Sequence, residues 1–142
     1  MARRVNYYPV HIPIGTLPTS GSISAEFVVG KSGRVDAVYF RSRTALTQHA
    51  THYWTFSITN LGQAGAGTTA ILGAVDGNTT KTTTGQAVVA NGRFVAVLNA
   101  TLANLNVTEG DTLQITVTCS TGSIANTGTF ASCTIGISAS GA

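Results

Sequence analysis

Apolar residues recur at every second position through much of this chain, and threonine or serine fills many of the gaps. Ile23, Ala25, Phe27 and Val29 alternate with Ser24, Glu26 and Val28. Trp54, Phe56 and Ile58 alternate with Thr55, Ser57 and Thr59. Leu113, Ile115, Val117 and Cys119 alternate with Gln114, Thr116 and Thr118, and Cys133, Ile135 and Ile137 with Thr134, Gly136 and Ser138. A period of two is that of a β-strand with one face on a core and the other in water. Threonine favours strand even on the wet face. No stretch sustains the helical period of 3.6, so the chain must bury its apolar side by packing sheet on sheet.

Two segments depart from clean alternation. Arg34–Arg41 carries Val35, Ala37 and Tyr39 on one face and Val38 and Phe40 on the other. Arg93–Leu98 carries Phe94, Ala96 and Leu98 on one face and Val95 and Val97 on the other. Both faces of each strand then need cover. One cover is the domain's own core. The second is either a subunit contact through Val38, Phe40, Val95 and Val97, or an overlying loop. Asn91-Gly92 predicts a type I′ hairpin turn, which requires positive φ at both positions. It would pair Val89 with Phe94 and Val88 with Val95. Glu109-Gly110-Asp111 reads as a turn leading into the strand at 112–119, and Leu102, Leu105 and Val107 as the closure of one core end. Segments 62–67 and 76–85 read as flexible loops. The count is about eight strands with turns every 8–15 residues. It predicts an all-β, antiparallel two-sheet sandwich, jelly-roll-like.

At 142 residues the chain fits one domain with a real core. Residues 1–22 stand apart, with Pro9, Pro13, Pro18, two arginines and two tyrosines. Proline at this density disfavours a central strand. We read 1–22 as an extended N-terminal arm, with Val10–Ile14 able to add along a sheet edge, and 23–142 as the sandwich. The start has arginines but no apolar stretch behind them, so it does not read as a signal peptide. Synthesis in a cytoplasm is the matching expectation.

Charge is scarce and uneven. Asp, Glu, Lys and Arg make up 9% of the chain, against about a quarter in an ordinary soluble protein. Arg3, Arg4, Lys31, Arg34, Arg41 and Arg43, set against Glu26 and Asp36, give the first 43 residues a net charge of +4. The other 99 residues sum to −1. Tyrosine and arginine are enriched where one protein grips another. Arg3, Arg4, Tyr7, Tyr8, Arg41 and Arg43 are therefore the candidate docking residues. The basic excess is too mild, and nucleic-acid motifs too absent, to predict a nucleic-acid partner. No apolar run approaches a membrane span.

Cys119 and Cys133 are symmetric about Asn126. A hairpin through that loop would set Val117 opposite Ile135, Ile115 opposite Ile137 and Cys119 opposite Cys133. A disulfide there would close about 15 residues, worth roughly 3 kcal/mol in the chain-entropy model. The alternative, which we expect, is two buried free thiols serving as small apolar residues.

Little here supports catalysis. There are five carboxylates, and no nucleophile elbow, P-loop or dinucleotide fingerprint. His49 and His52 form a His-x-x-His pair, but a stable metal site wants three or four ligands. We expect a polar loop, and no metal or other cofactor. Tyr7, Tyr8, Tyr39, Tyr53 and Trp54 are the aromatics that could stack on a sugar. Trp54, in alternation with Phe56 and Ile58, reads as core.

Three stretches occur in order: His52–Asn60 (HYWTFSITN) before a Gly-rich loop, Thr82–Gly85 (TTTG) before a strand, and Ala100–Leu113 (ATLANLNVTEGDTL). This series resembles the capsid decoration, or cement, proteins of tailed bacteriophages, over roughly residues 23–140. The resemblance implies a jelly-roll-like sandwich without enzymatic activity. It implies a homotrimer at three-fold or quasi-three-fold positions on the outer capsid surface of the virion, bound to the major capsid protein. N-terminal segments often contact the shell in that family. The alternative reading is a phage tail or fibre-tip module that recognises a host surface glycan.

Overall fold

The computed structural model describes residues 7–17, 21–73, 76–120 and 130–139. Its strands are β1 (Tyr7–Thr16), β2 (Ser22–Val28), β3 (Gly33–Ser42), β4 (Trp54–Asn60), β5 (Thr69–Ala70), β6 (Phe94–Val95), β7 (Asn106–Val107), β8 (Thr112–Cys119) and β9 (Phe130–Ala139). A short 3₁₀ turn spans Leu102–Leu105. One sheet has the order β1-β9-β3-β6, with β7 also on β3, and the other β2-β8-β4-β5. All pairings between these strands are antiparallel. Leaving aside the two-residue β7, the pairs nest: first with last, second with next to last, inward to β4 with β5. A long hairpin rolled into two sheets has this order, and it is the jelly roll.

The alternating residues face inward as expected. Leu113, Ile115 and Val117 of β8 and Cys133, Ile135 and Ile137 of β9 have no exposed surface. At the centre, Phe40 of β3 stacks on Phe56 of β4 with centroids 4.5 Å apart, and Phe94 of β6 packs against both at 6.3 and 4.9 Å. This trio joins the two sheets. Trp54, also on β4, is buried as well.

The jelly roll corrects the cysteine hairpin. Strands β8 and β9 lie in different sheets, because a rolled hairpin sends each outer strand across to the opposite layer. Cys119 pairs in register with Trp54, and Cys133 with Ile12 and Phe40. Neither cysteine is in a disulfide, and both are buried. Burial pushes the Cys133 thiol up to about 12 from an ordinary 9.0. An unfolded chain therefore loses this proton near pH 9, while the folded chain keeps it. The stability it contributes is whole below pH 9 and lost as pH rises from there toward 12. Denaturant titrations should show unfolding free energy falling above pH 9, and falling less steeply in Cys133→Ala. Equal slopes would refute the assignment.

A β-bulge corrects the reading of β3. Its register on β9 shifts between Val35 and Ala37, so one extra residue, Asp36, reverses the parity of the rest of the strand. Val35, Val38 and Phe40 then all point into the core. Val38 and Phe40 are packed inside their own chain and are not available to a subunit contact. The expected hairpin at Asn91-Gly92 is also replaced. Only Asn91 of the two takes positive φ (56°), and the Gly92 N–H closes the turn on the Val89 carbonyl at 2.9 Å. Val88 pairs with Leu46 instead, and Phe94 with Phe40. At the core's end, Leu105 and Val107 are buried while Leu102 is exposed.

The edge strand allowed for at Val10–Ile14 is present and longer, and a segment expected as a flexible loop is packed against the body. Tyr7–Thr16 of the expected arm is a full edge strand whose Ile12 and Ile14 are core residues. Pro9 and Pro13 are tolerated there because, among the described residues, β1 pairs on one side only. In the expected loop 76–85, Asn78, Thr79 and Thr80 are wholly buried along β4. The Thr80 N–H donates to the Trp54 carbonyl and the Trp54 N–H to Thr80 Oγ1, both at 2.9 Å. Asn78 holds Val97 in the same manner, accepting its N–H at 2.7 Å and donating to its carbonyl at 2.9 Å.

Candidate docking surface

The outer faces of the two sheets differ in chemistry. On β2-β8-β4 the outward rows are Ser22–Thr118–Thr55, Ser24–Thr116–Ser57, Glu26–Gln114–Thr59 and Val28–Thr112, with Val28 60% exposed. The hydroxyls of Ser22 and Thr118 lie 3.1 Å apart, and those of Ser24 and Thr116 2.9 Å. This face is a hydroxyl layer with one charge in those rows.

On β1-β9-β3-β6 the outward rows are Tyr7–Ser138–Arg34, Pro9–Gly136–Ala37, His11–Thr134–Tyr39–Val95 and Pro13–Ser132–Arg41. The middle rows mix small and apolar residues with His11, Thr134 and Tyr39, and the flanking rows carry arginine. The Tyr7 ring lies over Gly136, where any side chain would collide with it. Glycine in a strand interior is a signal of such close approach, and this contact was not anticipated from the sequence. Tyr7 is 49% exposed, and Val95 and Val97 are each 48% exposed. The Arg93 guanidinium sits 4.6 Å from the Tyr39 ring centroid, a cation–π contact. Arg34 pairs with Asp36 at 3.2 Å, and Asp36 also accepts from the Ser138 hydroxyl. His11 Nδ1 and the Thr134 hydroxyl are 2.8 Å apart.

The expected docking residues frame this face and do not form one cluster. Tyr7 is level with Ser138 of β9, and Arg41 with Ser132. Six residues of strand separate them, about 20 Å at ~3.3 Å per residue. Tyr7 and Tyr8 border a cavity of about 370 Å³ completed by Gly30, Lys31 and Ala139. Arg41 and Arg43 border another of about 280 Å³ with Ser42, Asn91 and Ser132. Tyr8 turns to the seam between the sheets and donates its hydroxyl to the Lys31 carbonyl at 2.6 Å. Arg41 donates to the Asn91 carbonyl at 2.8 Å. Arg3 and Arg4 lie outside the described residues.

Comparison with protein-family models and with curated proteins finds no match.

The histidine pair serves a turn. His49 Nδ1 accepts the N–H groups of Thr51 at 3.1 Å and His52 at 3.0 Å. That nitrogen is engaged in closing the chain before β4. Among the described residues, no three of His, Cys, Asp and Glu come together. Lys81 lies 5.4 Å from the Tyr53 ring centroid.

Proposed function

We propose that this chain is a structural virion protein that decorates and cements the outer capsid surface of a tailed phage. The observation that carries the reading is the contrast between its two sheet faces. The β1-β9-β3 face combines a centre free of carboxylates, made of small, aromatic and hydroxyl-bearing residues with His11, and arginines at both ends, Arg34 paired with Asp36 and Arg41 not, which suits a net acidic protein shell. The hydroxyl face carries serine and threonine in most of its rows, with Val28 as an exposed apolar residue at one end, and suits the side turned to solvent. Arg3 and Arg4, just ahead of β1, would extend the basic contact onto the major capsid protein. Attachment of this kind weakens with salt over the Debye length. The ordered motifs and the jelly roll are compatible with the same reading, although a fold alone does not assign a function.

A trimer would let three copies of a modest contact act together and raise avidity. With Val38 and Phe40 in the core, Val95 and Val97 at the β6 margin are left as the subunit contact. Val95→Asp should then convert trimers to monomers in sedimentation, with the body's unfolding midpoint unchanged. A stable variant that stays trimeric would remove this contact from the proposal.

Quantitative gels of purified virions from the virus that encodes the chain test the function itself. Decoration predicts copies in the hundreds per particle, on expanded or DNA-filled heads. A few copies confined to the tail, with binding to cells or glycans, would favour the receptor-binding alternative.

A further inference from the structure

Of the sheet edges among the described residues, one is the least protected, with Glu26 its single charge. Strand β1 carries Pro9 and Pro13, and β5 and β6 are two residues long. Short edges, prolines and edge lysines are the usual means of blocking unwanted strand pairing. Strand β2 has seven residues, no proline, glycine or lysine, and pairs with β8 alone among the described residues.

The backbone of β2 can be assigned by parity. Val29 donates its N–H to the Asp111 carbonyl and accepts from the Gly110 N–H, both at 2.8 Å. The Gly21 carbonyl accepts from the Cys119 N–H. Odd-numbered residues thus bond toward β8. The alternation of an antiparallel ladder turns the N–H and C=O groups of Ser22, Ser24, Glu26 and Val28 to the free edge.

The side chains beside that edge are incompletely covered. Leu113, Ile115 and Val117 of β8 have no exposed surface, yet their partners Phe27, Ala25 and Ile23 are only half-buried. Across the seam Tyr8 and Val10 of β1 are half-buried too. The cavity of Tyr7, Tyr8, Gly30, Lys31 and Ala139 adjoins the same seam through Tyr8. Lys31 is the charged residue in its lining.

We propose that β2 is an acceptor edge that binds an extended segment of the capsid protein by strand addition. The segment would bond to the backbone of Ser22, Ser24, Glu26 and Val28. Its apolar side chains at alternate positions would cover Ile23, Ala25 and Phe27, and an acidic residue would meet Lys31. Main-chain bonds supply affinity in this mode and the alternate side chains supply specificity. The partner's identity rests on the decoration reading, whereas the edge and its chemistry do not.

Ser24→Pro tests it, because the proline removes an outward N–H and leaves the ladder to β8 intact. Ser24→Val keeps the N–H and serves as the control. Heads lacking this protein, from the encoding virus, are incubated with each variant and washed. The unaltered chain and Ser24→Val should be retained equally, and Ser24→Pro at least about tenfold less. Hydrogen exchange on the unaltered chain should show the Ser24 and Glu26 amides gaining protection when heads are added. Equal retention of Ser24→Pro, or no gain at those two amides, would overturn the edge while leaving decoration standing. Failure of the unaltered chain to bind heads would overturn decoration and the capsid segment together. A fall in sedimentation mass of Ser24→Pro without heads would assign the edge to a second copy of the chain instead.

Discussion

Phe40→Ala should lower the unfolding free energy by about 3–5 kcal/mol, the usual cost of removing a buried ring. Phe40 is nearly inaccessible and touches both Phe56 and Phe94, one from each sheet. Its loss opens a void where β3, β4 and β6 meet. For a chain of this size the midpoint should drop by roughly 10 °C. The loss should be independent of protein concentration, since the ring packs inside its own chain. A small, concentration-dependent loss would place Phe40 at a subunit contact and the bulge at Asp36 elsewhere.

Asp111→Ala should cost about 2–4 kcal/mol, from two N–H donors left without their carboxylate partner. Asp111 follows a turn glycine, where an acidic residue is ordinarily solvent-facing. Here it is buried. One carboxylate oxygen accepts from Asn60 Nδ2 at 3.0 Å and from the Thr108 N–H at 2.9 Å. Asn60 in turn accepts the Gly62 N–H at 2.8 Å. The carboxylate therefore ties the end of β4 to the turn that starts β8. Denaturant unfolding measures the loss, and the Thr108 amide should lose protection first in hydrogen exchange. A change below about 0.5 kcal/mol, the range of ordinary surface substitutions, would show the clamp to be incidental.

Alternation made five long strands legible. It located β2, β3, β4, β8 and β9 within a few residues, because a half-buried strand must repeat every second residue. The same signal misled where one residue was added. In Val35-Asp36-Ala37-Val38 the apolar residues occupy both parities. A central strand covered on both faces and a bulged strand covered on one produce the same pattern. Only the register against β9 separates them. Buried Asn78, Thr79 and Thr80 were illegible for another reason. Their partners are the backbone groups of Trp54, Phe56 and Val97, far off in sequence, and a polar segment satisfied by such bonds looks like any exposed loop. For the docking surface, the residue types were legible but their arrangement was not. Tyr7 and Arg41 fall in one basic, aromatic head in the sequence, yet stand at opposite ends of a sheet.

By itself the sequence determined that this chain folds as two packed sheets, which residues of most strands face the core, and that charge is concentrated near the start. These conclusions come from local period and composition. Strand partnership was decided only in three dimensions. The inner faces of β8 and β9 match each other as well as they match their true neighbours, so Cys119 beside Cys133 was as consistent with the pattern as the pairing that occurs. Rolling the chain into a jelly roll sends β8 and β9 to opposite sheets and leaves β2, among the described residues, at a sheet edge. Alternation tells a strand which face to bury. It does not say beside which strand, and that choice rests on how every other strand packs at once.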